Sequence, residues 1–304
     1  MRSESGYLHP GYANALSEFG RPCPLAQSGG WILEREIPGT DSRDAMGCYP
    51  IFSCRDWSRL SDDLDALHKG PVSLILVADP FGNYSEEILR RAFNELVVPF
   101  KEHFVADLRH STNSFVSKHH QYYARKALAM VKVEVCEDPP GKIEEWSELY
   151  DLLVARHQLK GVKAFSRASF VKQLSVPGIV MLRATYKGEP IGAHLWCVQG
   201  DVAFSHLVAS SVVGYKLMAA YALAWTALEY FTGKVQWIDW GAGAGLHAES
   251  TDGLTRYKRN WANDTRTAYL CGRIFDHAKY DEISRQKGLA SSSYFPRYRA
   301  GEFR

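Results

Sequence analysis

The sequence lacks the features that mark several common classes of protein. Its six cysteines are scattered and include no C-x-x-C pair, which argues against a structural zinc site and against a small disulfide-stapled scaffold. The 36 Lys and Arg nearly balance the 34 Asp and Glu, leaving a net charge of +2, so a dedicated nucleic-acid coat protein is not expected. No G-x-S-x-G elbow, H-E-x-x-H motif or Walker loop occurs, and nothing supports a hydrolase, a metalloprotease or an ATPase.

Long apolar runs are also missing. The longest near-apolar stretch, 217–231, has 15 residues and includes Glu229, whereas a membrane-spanning helix needs about 20. The first residues contain no apolar signal segment. We therefore expect a soluble, cytoplasmic protein with reduced cysteines. With 304 residues, 46% of them apolar, the chain can bury a full core in one large domain or two modest ones.

The first hundred residues carry weak patterns. Residues 1–45 are rich in glycine, proline and charge and predict loops with one short strand near 31–34. Val72–Val77 is a short apolar run between turn signals and predicts a buried strand. Ser85 is placed to cap a helix, which we expect Pro99 to stop.

From residue 131 the patterns become regular and predict the order β-α-α-β-β-β-α-β-α-β. The strands are expected near 131–135, 179–186, 191–198, 202–209, 235–240 and 265–274, and the helices near 143–157, 166–174, 214–231 and 254–261. An antiparallel meander followed by a β-α-β crossover makes a mixed sheet with helices on both faces. Strands 202–209 and 235–240 should then be parallel neighbours.

Three sequence segments make the prediction more specific. They are SKHHQYYARKA at 117–127, IGAHLW at 191–196 with ASSVVGY at 209–215, and DGLTRYKR at 252–259. Together they resemble the Fem-like (FemAB-type, or BioF2-like acetyltransferase) branch of the GNAT acyltransferase superfamily, over roughly residues 110–275. The resemblance implies an α/β mixed-sheet GNAT-like fold. We expect an acyltransferase domain at 110–278, a smaller or degenerate GNAT-like unit at 1–109, and a tail at 279–304 that packs back on the N-terminal half or stays mobile.

The same resemblance implies transfer of an acyl group to the amine of a small molecule, saccharide or peptide, without a metal. The donor is acyl-coenzyme A in ordinary GNAT enzymes, and this is the donor we expect first. It is aminoacyl-tRNA in the Fem-type branch, which is the alternative. A third hypothesis is a non-catalytic GNAT fold kept as a binding module. The oligomeric state is left open.

A coenzyme A site is predicted where the crossover helix begins. In ordinary GNAT enzymes an Arg/Gln-x-x-Gly-x-Gly/Ala loop presents backbone N–H groups to the pyrophosphate at a helix N-terminus. The residues assigned to this contact are Ser210, Ser211, Gly214, Tyr215 and Lys216. Gly214 fits the first glycine, but Ser211 replaces Arg/Gln and the bulky Lys216, itself able to hold a phosphate, replaces a small residue. An ordinary helix start is the alternative.

Three residues are predicted to carry the chemistry. By resemblance, Lys258 lies near the reacting carbonyl, where a cation would stabilise the oxyanion; the alternative is a solvated basic helix end. His206, in mid-strand, could take the proton of the attacking amine, or it could be a hydrogen-bonded core histidine. Asp239, at a strand end, could accept hydrogen bonds from the following loop or bind the acceptor amine.

The remaining candidates concern ligand contacts. Arg256, His194 and Trp196 are assigned to substrate binding. The glycine-rich loop 241–245, followed by His247 and Glu249, lacks the spacing of a dinucleotide loop and is expected to let the backbone pass close to a substrate or a strand. The basic helix 118–126 could contact phosphates, with its Tyr pair stacking on bases, or it could be a solvated face.

Overall fold

The protein is described by a computed structural model that covers residues 4–68, 70–243 and 252–302. Within these residues the helices are α1 (Pro10–Ala15), α2 (Leu60–Ala66), α3 (Glu86–Ala92), α4 (Thr112–Phe115), α5 (Lys118–Leu128), α6 (Ile143–His157), α7 (Arg167–Gln173), α8 (Val212–Lys216), α9 (Ala219–Phe231), α10 (Gly253–Arg259) and α11 (His277–Gln286). The strands are β1 (Arg21–Leu25), β2 (Gly30–Glu36), β3 (Arg43–Gly47), β4 (Ser73–Val77), β5 (Leu96–Asp107), β6 (Lys132–Val135), β7 (Ile179–Tyr186), β8 (Glu189–Gln199), β9 (Val202–Ser210), β10 (Trp237–Asp239) and β11 (Asp264–Ile274).

The chain forms two compact units, and neither is continuous in sequence. The C-terminal unit comprises Met1–Gly6, Lys101–Leu159 and Ala164–Thr267. The N-terminal unit comprises Tyr7–Phe100, Lys160–Lys163 and Ala268–Arg304. These limits differ from the expected 1–109, 110–278 and 279–304 because two long strands are shared. β5 starts in the N-terminal unit and ends in the C-terminal unit, and β11 does the reverse.

The C-terminal unit has the predicted mixed sheet. Its strands follow the order β5-β10-β9-β8-β7-β6, with antiparallel pairs throughout except between β9 and β10. The parallel pairing of β9 with β10 is confirmed, from Val202–Trp237 to Phe204–Asp239. Large apolar side chains of α9, such as Leu223 and Phe231, are buried in the core of this unit.

Strand β9 has an irregularity on each of its two edges. Pairing with β10 ends at Phe204, whereas β9 continues to Ser210. On its other edge the register with β8 shifts, because Leu195 pairs with Leu207 and Trp196 with Ser205, which leaves His206 in a bulge. A bulge of this kind re-aims side chains and is common next to functional sites. Beyond Phe204, β9 therefore no longer pairs with β10, while its pairing with β8 continues past the bulge.

The N-terminal unit repeats the same order of elements in shorter form. Its sheet order is β1-β2-β3-β4-β11, with β3 and β4 parallel and the other pairs antiparallel. A three-strand meander, a helix (α2), a parallel strand and a second helix (α3) correspond to the meander β7–β9 followed by α8–α9, β10 and α10. This agrees with a smaller GNAT-like unit before the main one.

Several sequence predictions about these elements are wrong. Residues 1–45 form α1 and three strands rather than loops, and β1 carries Pro22 and Pro24 because it is an edge strand, where a missing N–H is tolerated. Pro99 does not end a helix: α3 stops at Ala92, and Pro99 lies inside β5. The expected helix 214–231 is split, because Met218 has a left-handed φ of 58° between α8 and α9.

The C-terminal segment packs back on the N-terminal half, the first of the two behaviours expected for it. The Tyr298 hydroxyl lies 2.7 Å from the hydroxyl of Ser73. The Arg299 guanidinium donates to both carboxylate oxygens of Asp44, at 2.6 and 2.8 Å. The helix α11 before it, capped by Asp276, was not predicted. Within the described ranges, no helix is long and apolar enough to cross a membrane.

Candidate active site

Lys258 lies on the short helix α10, which begins where Asp252 accepts a hydrogen bond from the Thr255 N–H at 2.8 Å. The half-buried lysine reaches back toward the end of β10, and its Nζ donates to the carbonyl of Ala242 at 2.8 Å. Gly241 leaves room for this ammonium group, because a Cβ there would lie 3.0 Å from Nζ. Gly241 also has a φ of 74°, which side-chain-bearing residues rarely adopt.

The environment of Lys258 changes its protonation. The pKa of its ammonium group is lowered to about 8, mainly by burial; the nearby carboxylates of Asp239 and Asp252 oppose this lowering, and the charge of Lys101 adds to it. At neutral pH the group is therefore mostly cationic while it is only partly hydrated. Such a cation is suited to stabilise negative charge that develops on a substrate.

Asp239 is buried, with 1% of its surface exposed, and both of its carboxylate oxygens are hydrogen-bonded. Oδ1 accepts from the Gly241 N–H at 2.6 Å, and Oδ2 lies 2.8 Å from Nδ1 of His103. Of its two sequence-derived roles, the geometry therefore fits the hydrogen-bonding role and leaves little access for an acceptor amine.

Sequence reasoning missed His103. It lies on β5 and reaches Asp239 because β5 pairs with β10. Beside it, the Trp240 N–H donates to the Phe104 carbonyl at 2.9 Å, and the Phe104 N–H donates to the Gly241 carbonyl at 3.1 Å. No local pattern marks this residue. Its position follows from the pairing of two strands that lie more than a hundred residues apart in the sequence.

His194 and Trp196 lie on the same face of β8, with ring centroids 4.2 Å apart. The Nε2 atom of His194 lies 2.8 Å from the hydroxyl of Ser205 on β9. Burial lowers the pKa of His194 to about 3, and the positive charge of Lys258 contributes in the same direction, so His194 is neutral and close to Lys258.

Trp196 is wholly buried and packs against Trp240 with ring centroids 5.3 Å apart. Its indole N–H has no hydrogen-bond partner among the described residues. The structure thus gives Trp196 a place in the core under the site rather than on an open binding surface.

His206 points elsewhere. Its Nε2 lies 2.9 Å from the side-chain oxygen of Gln173 on α7, and its ring packs 5.9 Å from that of Phe165. Burial lowers its pKa to about 3. The structure therefore brings Lys258, Asp239 and His194 together, and it directs His206 toward α7.

No protein-family model matches the sequence, and no curated protein matches it. Solved structures do resemble it. FemX aligns over 90% of this chain and 93% of its own, with a TM-score of 0.64 at 11% identity. The C-terminal domain (DUF2156) of a protein described as a lysylphosphatidylglycerol synthetase from Agrobacterium fabrum aligns over 93% of both chains, with a TM-score of 0.61 at 16% identity. L-PGS from Bacillus licheniformis covers 94% of this chain and 97% of its own, with a TM-score of 0.59 at 15% identity. The chain has the fold of FemX.

In this fold, residues of the predicted coenzyme A loop form hydrogen bonds and packing contacts within the protein itself. The Ser211 hydroxyl accepts a hydrogen bond from the Gly214 N–H at 3.1 Å. A Cβ at Gly214 would lie 2.0 Å from the carbonyl oxygen of Ile191, so the glycine serves the close packing of α8 against β8. Both observations give these residues a structural role.

Of the other residues predicted to contact coenzyme A, Tyr215 and Lys216 are exposed and Ser210 is buried. The ring of Tyr215 is covered by the Arg156 guanidinium, 3.7 Å from the ring centroid, and Ser210 is buried at the end of β9. Lys216 is exposed at the last position of α8, where its charge is available to a ligand.

The other candidates are less defined. Arg256 is exposed on α10, two residues before Lys258. Gly245, His247 and Glu249 of the glycine-rich loop lie outside the described residues. In the ranges that the structure describes, no group of three His, Cys, Asp or Glu side chains is placed to hold a metal ion.

Proposed function

We propose that this protein transfers an acyl group to an amine, and that Lys258 stabilises the oxyanion formed in that reaction. The observation that carries the proposal is the position of a partly buried ammonium group beside Gly241 and Asp239, at the end of β10 where β9 and β10 separate. The Fem-like GNAT fold supports it, since the resemblance implies acyl transfer.

The reaction is the aminolysis of an activated acyl group. The amine attacks the carbonyl carbon, and the carbonyl oxygen gains negative charge in the tetrahedral intermediate. A fixed cation in a water-poor site stabilises that charge without having to reorganise, and the loss of one such donor commonly costs about 100- to 1,000-fold in turnover. The proposed acceptor is the amine of a small molecule, saccharide or peptide.

Acyl-coenzyme A is the first proposed donor, and Lys216 would hold one of its phosphates as a point charge. Against this donor stand the contacts of Ser211 and Gly214, because the Gly214 N–H is already satisfied and α8 has only five residues. Coenzyme A would then have to bind without a standard phosphate loop.

Aminoacyl-tRNA is the second proposed donor, and one surface favours it. The helix α5 exposes Lys118, Arg125 and Lys126 together with Tyr122, which is 56% exposed. Cations interleaved with an aromatic ring can contact phosphates and stack on bases. The likeness of FemX over nine-tenths of the chain agrees with this donor, since the resemblance to the Fem-type branch implies it.

Turnover of the two donor classes tests the proposal. Acetyl-, malonyl- and long-chain acyl-coenzyme A and bulk radiolabelled aminoacyl-tRNA would each be offered with a panel of amines, and amide formation would be measured. Transfer from either donor supports the proposed function. If tRNA is the donor, its binding must weaken steeply with salt. A protein that binds an amine tightly but transfers from neither donor would be the non-catalytic GNAT-fold binding module instead.

A further inference from the structure

His103 and Asp239 form a buried imidazole–carboxylate pair at the end of β10. The His103 side chain is 12% exposed and that of Asp239 is 1% exposed, and Nδ1 lies 2.8 Å from Oδ2. The other oxygen of Asp239 is fixed by the Gly241 N–H at 2.6 Å. The carboxylate is thus held from two sides and cannot rotate away from the imidazole.

This contact sets which ring nitrogen carries the proton. A carboxylate only accepts hydrogen bonds, so Nδ1 of His103 must donate, and a neutral ring then has its lone pair on Nε2. None of the described residues forms a hydrogen bond with Nε2. An imidazole oriented through Nδ1 by a buried carboxylate, with Nε2 left to face a substrate, is the arrangement of a general base.

The charged groups around the pair come from several elements. Lys258 and the capping residue Asp252 come from α10, and Lys101 precedes His103 on β5. His194 on β8 is neutral because burial depresses its pKa to about 3. Asp239 is therefore the carboxylate that directly contacts His103, and Lys258 is the nearby cation.

We propose that His103 is the general base of the acyl transfer, that its Nε2 accepts the proton of the attacking amine, and that Asp239 is its positioning residue. The inference rests on the proposed function and adds a residue to it. His206, considered for this role from the sequence, has its Nε2 occupied by Gln173.

The amine nitrogen forms a bond to the acyl carbon while one of its protons passes to Nε2 of His103. The electron pair of the C=O bond moves to oxygen, where Lys258 stabilises it. When the intermediate collapses, the C=O bond reforms and the bond to the donor sulfur or ribose oxygen breaks. His103 then returns the proton to that leaving group.

Chemical rescue tests the assignment. His103→Ala and, as a matched control, His110→Ala would be assayed with the acyl donor and amine that give the highest wild-type rate. His110 is exposed just beyond the end of β5 and outside the site. We expect His103→Ala to lose about 100-fold or more in kcat with little change in KM, because positioned acid–base groups contribute about 10²–10⁴-fold. Added imidazole should raise the kcat of His103→Ala at least severalfold, and His110→Ala should have the kcat of the wild type.

A second variant separates chemistry from folding. His103→Gln keeps a hydrogen bond to Asp239 but supplies no base, so it should fold normally and remain as slow as His103→Ala. The inference would be wrong if the turnover of His103→Ala stayed within threefold of the wild type. It would also be wrong if His103→Gln restored the lost turnover, or if imidazole did not raise the turnover of His103→Ala. In each of these cases the proposed function would stand. Absence of transfer by the wild type itself would overturn the proposed function, and the base role with it.

Discussion

Lys258 holds its ammonium group near the buried carboxylate of Asp239 and against the backbone of Ala242. If it stabilises the oxyanion, Lys258→Ala should lower kcat by about 100-fold or more. Lys258→Arg should recover part of the rate, because a planar guanidinium places its donors differently. Steady-state kinetics check this, with Lys172→Ala, an exposed lysine of α7, as the control. A rise in KM with kcat intact would instead mean that Lys258 binds a remote part of the substrate.

The pH dependence follows from the same residue. Burial brings the pKa of Lys258 to about 8, so the group is cationic below that pH and neutral above it. We expect kcat to fall as the pH rises through about 8, and the fall to disappear in Lys258→Arg, whose guanidinium stays charged. Rates measured between pH 6 and 10 with a weakly basic acceptor amine check this. If kcat fell at high pH in the same way in both proteins, the titration of another group would cause the fall.

At the scale of elements, the packing of α8 on β8 depends on Gly214. A Cβ there would lie 2.0 Å from the Ile191 carbonyl oxygen, so Gly214→Ala must push the helix away from the strand. Overpacking of this kind costs about 1–3 kcal/mol of unfolding free energy. Gly253→Ala is the matched control, since a Cβ at the start of α10 meets no atom within 4 Å. Urea unfolding of the two variants measures the difference, and equal stabilities would contradict the packing role.

The elements also show how far sequence reasoning reaches. The meander β7–β9, the parallel neighbour β10 and the lysine on α10 were predictable, because apolar runs, tight turns and the DGLTRYKR phrase are local signals. The break at Met218 was not, because no residue there marks a left-handed turn. The role of His103 could not be predicted either, because its contact with Asp239 depends on the pairing of β5 with β10, and no local sequence pattern indicates that pairing.

At the scale of the whole molecule, the two units have the same order of elements but different side chains around the buried aspartate. In each unit a buried aspartate at the end of the parallel strand, or just past it, accepts a hydrogen bond from the N–H two residues on: Asp239 from Gly241, and Asp79 from Phe81 at 2.8 Å. In the N-terminal unit the second partner of the aspartate is the Ser53 hydroxyl at 2.7 Å, where the C-terminal unit has an imidazole.

The helices that follow these strands differ as well. Lys258 is the sixth residue of α10, and the sixth residue of α3 is Arg91, which donates to the Ser58 carbonyl at 2.6 Å. The N-terminal unit therefore keeps the turn that buries the carboxylate and lacks the proposed base beside it. This is what we expect of a GNAT-like unit that has kept its fold without the acyl-transfer chemistry, and it concentrates the proposed activity in the C-terminal unit.

The N-terminal unit is completed by the end of the chain, through a network of ion pairs around the buried Asp44. Asp44 is fully buried and receives two hydrogen bonds from Arg299, which is 8% exposed, and Nε of Arg35 lies 3.3 Å from its Oδ1. Removing one partner of a buried pair leaves an uncompensated charge and costs about 3–5 kcal/mol. We therefore expect Asp44→Ala to lower the unfolding free energy by that amount, and the double variant Asp44→Ala/Arg299→Met to recover part of it.

Urea unfolding followed by tryptophan fluorescence measures both variants. The control is Glu86→Ala, which breaks the exposed pair with Arg90 on α3 of the same unit, and such surface pairs contribute little. If Asp44→Ala were no less stable than Glu86→Ala, the ion pair would not be what holds the C-terminal segment. A double variant less stable than Asp44→Ala alone would show that Arg299 stabilises the unit by contacts other than Asp44, its bond to the Glu36 carbonyl at 2.7 Å being the first to examine.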